Sequence, residues 1–174
     1  AGQYNKYFSD QEVFIDNLSQ EVYKKLVVQP MWIDHGRRQI KRLTSKFPDL
    51  NISTEYIPTN KKASSIALYV GTYNGTGMLE FLNFDVPSVF FWDLNLYEIS
   101  DSAFTYFQDL IDVGIFHKTP ESAAKHLSNI HNDILGWWAK PNVVNAKNKF
   151  CNNYSRKSDA LSYARILKNK KSSI

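Results

Sequence analysis

The residues best suited to chemistry lie together in Gly71-Thr72-Tyr73-Asn74-Gly75-Thr76-Gly77, followed three residues later by Glu80. An apolar run, Ile66 to Val70, enters this turn, and a helix-like stretch carrying a single carboxylate leaves it. A second apolar run, Val86 to Trp92, comes next. Strand, glycine-rich turn, helix, strand is a unit that presents backbone N–H groups and a positive helix end to an anion. Two familiar versions of it are excluded. A dinucleotide fingerprint requires a third glycine where Glu80 stands, and a Walker loop requires Gly-Lys-Ser/Thr where this chain has Thr76-Gly77-Met78. A tight β–α turn whose glycines serve packing alone is equally compatible with the pattern.

Glu80 separates these alternatives. Met78, Leu79, Phe81, Leu82 and Phe84 leave the helix little polar face, so it should be largely buried. Burying an unpaired carboxylate costs several kcal/mol, so Glu80 must open onto a solvent-lined cleft or meet a Lys or Arg. In a cleft beside a phosphate cradle it is placed to accept hydrogen bonds from both hydroxyls of a ribose, the role favoured over a structural ion pair.

The elements that must hold this turn follow from periodicity. Asp10 to Lys24 reads as a helix with Ser9 as cap and Glu12 closing a capping box. Arg37–Phe47, Pro58–Ser65, Ser102–Val113 and about Asn142–Lys168 read as helical. Thr119-Pro120-Glu121-Ser122 starts another helix, extending toward Trp138. Leu26–Val28, Leu50–Ser53, Ile66–Val70, Ser88–Trp92 and Gly114–His117 read as strands, mostly continuous apolar runs. Such runs alternating with helices predict an α/β fold, a Rossmann-like parallel sheet with helices on both faces.

The 174 residues need form only one domain; we expect residues 1–165 to be that domain and 166–174 a basic tail. Net charge is +4, concentrated at Arg37, Arg38, Lys41 and Arg42 and at Lys168–Lys171. A nucleic-acid surface would interleave such residues with exposed aromatics, a pattern the sequence does not show, and no nucleic-acid partner is expected. No apolar run reaches the ~20 residues of a membrane helix, and with no basic stretch followed by an apolar one at the start, a secretory leader is not expected. Cys151 is alone, which fits a reducing, cytoplasmic setting. The chain begins Ala-Gly, and a longer parent protein is expected.

The turn and its flanks resemble the donor-binding signature of GT-B-fold glycosyltransferases, here Gly-Thr-Tyr-Asn-Gly-Thr-Gly-Met-Leu-Glu followed by Asn83-Phe84-Asp85-Val86-Pro87-Ser88. The chain is more closely similar to a family of bacterial transferases associated with surface-polysaccharide genes. That family's pattern is matched by Asp34-His35-Gly36, Thr72–Thr76 with Glu80, Phe91-Trp92, Asp101-Ser102-Ala103 and Trp137-Trp138.

The resemblance implies the C-terminal, donor-binding half of a glycosyl (or related sugar- or polyol-phosphate) transferase. The acceptor half would lie in a missing N-terminal domain. Thr72, Asn74, Gly75, Thr76 and Gly77 would line the pyrophosphate and Glu80 the ribose. Asp34 and His35 would share the same rim as weak catalytic candidates. Where the family pattern suggests an arginine, this chain has Gln29, so Arg37 or Arg38 would supply the phosphate contact. The nucleotide sugar is substrate; no cofactor and no metal is expected. Two other functions remain compatible: a non-catalytic nucleotide-binding or scaffold module of the same fold, and a nucleotide-sugar epimerase-like enzyme.

Outside the turn, His126 and His131 are five residues apart, poor spacing for a shared helix face, with no carboxylate or Cys at metal-site spacing. Trp137 and Trp138 read as packing residues, Asp93 as a second carboxylate at the cleft, and Cys151 as inert.

Overall fold

The apolar runs pair in parallel, as strands without an alternating polar face must when helices cover both sides. In the computed structural model, which describes residues 2–31, 34 and 36–155, β1 (Val27–Val28) lies beside β2 (Asn51–Ile52). A second group holds β3 (Tyr69–Gly71), β4 (Ser88–Phe91) and β5 (Phe116–His117), with β4 in the centre. The sequence predicts one sheet; among the described residues the hydrogen bonds form a two-stranded and a three-stranded group. The strands are shorter than their apolar runs because pairing, not hydropathy, ends them.

Register sets Gly71 opposite Phe90 and Phe91 opposite His117. The carboxyl ends of β3, β4 and β5 therefore share one edge, the edge at which open α/β sheets bind ligands. Every residue of β4 is buried. Its one hydroxyl, Ser88 Oγ, is satisfied by donating to the Val86 carbonyl at 2.8 Å.

Helices flank the sheets on both faces. Phe91 stacks on Phe14 of α1 (Gly2–Asp16), with ring centroids 4.9 Å apart. The next residue, Trp92, points the other way and packs edge-on against Phe107 of α6 (Asp101–Asp112). Burial of each such ring is worth about 1.5–3 kcal/mol. α7 (Pro120–Ile130) packs on α1, and α9 (Pro141–Tyr154) lies against α6 and against α5 (Thr76–Asn83). The remaining helices are α2 (Gln20–Tyr23), α3 (Gln39–Lys46), α4 (Thr59–Ala63) and α8 (Ile134–Trp138).

Three expectations about boundaries change. The first helix begins at Gly2 rather than Asp10, and Ser9 sits exposed inside it. The tertiary contacts of Phe8, which is 1% exposed and lies under the Arg42 guanidinium, override the local cap signal. Ser19 does the capping one element later, accepting from the Val22 amide. The α7 helix does start at the Thr119 cap, which accepts from Ser122 N at 3.2 Å. It does not reach Trp138, because Asp133 caps a new helix through Gly136 N at 3.0 Å. The helix expected over 142–168 runs from Pro141 to Tyr154; its remainder, and the tail 166–174, lie outside the described residues. Among the described residues no helix is long and apolar enough to cross a membrane.

Candidate functional site

The glycine turn leaves β3 at the shared carboxyl edge and enters α5. Gly71 is needed for packing: a Cβ there would lie 2.5 Å from Phe90 Cδ1 and 2.8 Å from Cε1, atoms of a fully buried ring. Gly75 is the N-cap residue of α5 and has no side chain to cap it. The Met78 amide bonds to the Gly75 carbonyl at 3.1 Å, while the Thr76 and Gly77 amides find no acceptor among the described residues. A helix end left in this state favours an anion.

Glu80 lies four residues after Thr76 and three after Gly77, so the three share one face of α5. Only part of that helix is buried: Met78, Phe81 and Leu82 face the core, while Thr76, Glu80 and Phe84 are exposed. Glu80 pairs with no Lys or Arg among the described residues, so the structural ion pair, the competing account of this carboxylate, is not formed there.

Tyrosines wall the turn. Tyr69 stacks on Phe81 at 3.8 Å between centroids, and its hydroxyl oxygen would stand 3.1 Å from a Cβ on Gly77. Burial, with Tyr73, Tyr7 and Glu80 adding to it, pushes the Tyr69 phenol up to about 12. It is therefore a neutral hydrogen-bonding group at any physiological pH. Tyr73, half-exposed, lies over Gly75. Tyr7 of α1 meets Tyr73 edge-on at 6.4 Å, and burial raises its phenol as well. Tyr7 Oη and Gln11 Nε2 both reach Thr72 Oγ1, at 3.2 and 3.3 Å.

Of the two expected arginines, Arg37 packs on α1. Arg37 Cζ lies 4.1 Å from the centre of the Tyr4 ring, which neighbours Tyr7 at 6.1 Å. Arg38 is exposed in the left-handed region (φ 54) at the start of α3, and no contact joins it to the turn. Asp34 accepts the Arg38 and Gln39 amides at 2.8 and 2.9 Å, so it serves as a helix cap on both carboxylate oxygens. His35 lies outside the described residues. Asn74 is exposed on the turn beside the two open amides. Asp93, in the loop just past β4, accepts from Asn95 N and Nδ2, both at 2.9 Å, and lies 3.9 Å from Lys6 Nζ.

A separate cleft of about 670 Å³ runs beside β5 and α7 and shares no residue with the turn. Its wall includes His117, which bonds Ser122 Oγ at 2.8 Å and the Gly114 carbonyl at 3.0 Å. His126 lies between the His117 and Trp137 rings, at 5.1 and 5.0 Å. Burial, followed by the charges of His117 and Lys140, lowers His126 to about 4. His131 is held by the Ser128 carbonyl and Glu21. Trp137 and Trp138 are buried and donate to Val113 O and Asp85 Oδ1, which are packing roles. Asp85 also pairs with Lys147, tying α9 to the turn after α5.

The wall from α1 was not legible in the sequence. Tyr7 precedes the residue at which the first helix is expected to start, and Gln11 is one of many exposed-helix polar types. Their spacing of four is the only local signal, and it needs the true helix start to be seen.

The model of a family described as LIC12162 family transferase matches residues 1–168. No curated protein matches the chain, and neither does any solved structure.

Proposed function

The chain belongs to the LIC12162 transferase family, and from that premise we propose that it is the donor-binding half of a GT-B-type transferase that takes a nucleotide-activated sugar or a related polyol-phosphate donor. The turn from Thr72 to Gly77 holds the donor diphosphate and Glu80 the ribose. The observation that carries this is the joint state of α5: two open amides at its N-terminus and, one turn later on the same face, an exposed carboxylate with no cationic partner among the described residues. An anion cradle beside a free acceptor fits a ligand that carries both phosphate and neighbouring hydroxyls.

The helix end would stabilise the leaving diphosphate as charge develops on it, and Arg37, packed on Tyr4 of α1, would add positive charge. Such a donor site supplies electrostatics and orientation rather than a covalent step. The acceptor, and the base that activates it, would come from a second domain, in keeping with a role in surface-polysaccharide synthesis. The test is a thermal-melt panel of UDP, GDP, CDP, ADP and CMP. A ligand of the folded state must raise the melting temperature by linkage, and a flat panel at millimolar ligand refutes the proposal.

A further inference from the structure

We propose that Tyr7 and Gln11 of α1 are positioning residues for the glycine turn: by donating to the Thr72 oxygen they aim the Thr72 proton at a phosphate oxygen. The proposal rests on the reading of the turn as a donor-phosphate site and adds to it a part contributed by a helix more than fifty residues away in sequence.

Tyr7 and Gln11 are four apart on α1, so their side chains leave the same face one turn apart. Both converge on one atom, Thr72 Oγ1. A hydroxyl has one proton and two acceptor sites. The Gln11 amide nitrogen only donates, so it occupies one acceptor site. The Tyr7 hydroxyl either fills the second or accepts the Thr72 proton.

An anion on the turn decides between these. A hydrogen bond to a charged oxygen is about twice as strong as one between neutral groups. The Thr72 proton therefore turns to the phosphate, and Tyr7 reverses to become a donor. Thr72 then adds a third donor to the open amides of Thr76 and Gly77. The core anchors of α1 are Phe8, Phe14 and Ile15, so the two polar contacts are not what docks the helix.

The experiment measures binding of inorganic pyrophosphate, UDP, GDP, CDP and ADP by calorimetry to the whole chain and to Thr72→Val, Tyr7→Phe, Gln11→Leu and Gln11→Glu. Tyr7→Phe and Gln11→Leu each weaken binding about three- to tenfold, the size of one hydrogen bond. The double variant Gln11→Leu/Thr72→Val binds no worse than Thr72→Val alone, because Gln11 acts through that hydroxyl. Gln11→Glu gives a readout that simple loss of packing does not. At neutral pH its carboxylate accepts the Thr72 proton and binding is weakest of all. As pH falls through the titration of that carboxyl it becomes a donor, and binding recovers relative to wild type at the same pH.

Unchanged binding in Thr72→Val or Gln11→Leu, additive losses in the double variant, or no acid recovery in Gln11→Glu overturns the proposal while leaving the donor site standing. Absence of binding by the wild-type chain to every probe overturns the donor site itself, and the proposal with it.

Discussion

Replacing Glu80 by alanine separates a ligand role from a structural one, because the two make opposite demands on stability and affinity. Glu80 is exposed and without a cationic partner among the described residues, and surface changes of this kind stay within about ±0.5 kcal/mol. At about 2–4 °C per kcal/mol for a domain of this size, the unliganded melting temperature should move by no more than about 2 °C. The bound state should suffer more. Hydrogen bonds to a charged group are worth about 1.5–3 kcal/mol, and the ribose hydroxyls regain only water when the carboxylate goes. A loss of about 2 kcal/mol raises Kd roughly thirtyfold. With a nucleoside diphosphate at about one hundred times the wild-type Kd, linkage stabilises wild type by about 2.7 kcal/mol, or about 5–11 °C. The variant at the same ligand concentration should gain under about 1 kcal/mol, or roughly 2–3 °C. Differential scanning fluorimetry with and without ligand measures both. A variant that melts several degrees lower without ligand, yet keeps the full ligand-induced rise, would show that Glu80 supports the fold and not the ribose.

Other outcomes follow from the same geometry. Gly71→Ala places a methyl against the buried Phe90 ring and should cost about 1–3 kcal/mol by overpacking; a urea midpoint equal to wild type would contradict that placement. Asp85→Ala removes the acceptor shared by Lys147 and Trp138 Nε1, leaves the buried ammonium unpaired, and puts alanine at φ 57. It should lower stability by about 1–3 kcal/mol, and by more than Asp85→Asn, which keeps the indole contact; equal melting of the two variants would count against it. His126 and His117 are both held neutral by burial. A depressed histidine leaves the unfolded chain binding more protons, so stability is full above the ordinary value near 6.5 and falls as pH drops toward about 4. His126→Phe should flatten that slope in a pH series of denaturant melts, and an unchanged slope would remove His126 from the account.

Much of the scaffold was readable because it is written in local chemistry. Thr119-Pro120 starts α7 by supplying a cap and a preset φ, signals that need no partner elsewhere. The run around Val89 and Phe91 had to be a strand buried on both faces, and it is. Local signals failed where a distant contact outweighed them. The Ser9 capping box lost to the burial of Phe8 against the α3 region, and the continuous pattern beyond Ile130 lost to the Asp133 cap. The candidate site divides along the same line. Asp34, expected on the rim of the turn, accepts the Arg38 and Gln39 backbone amides with its two oxygens, which the sequence alone does not reveal.

Residue type and spacing alone set the alternation of strands with helical segments, the glycine turn, and one carboxylate a helical turn beyond it. Tertiary packing leaves Glu80 without a cation among the described residues, sets Arg37 over Tyr4 of α1, and brings Tyr7 and Gln11 to Thr72. Those facts depend on which surfaces pack together over more than fifty residues of chain. Hydrophobic burial of α1 settles that choice, and the polar contacts at the turn are positioned by it.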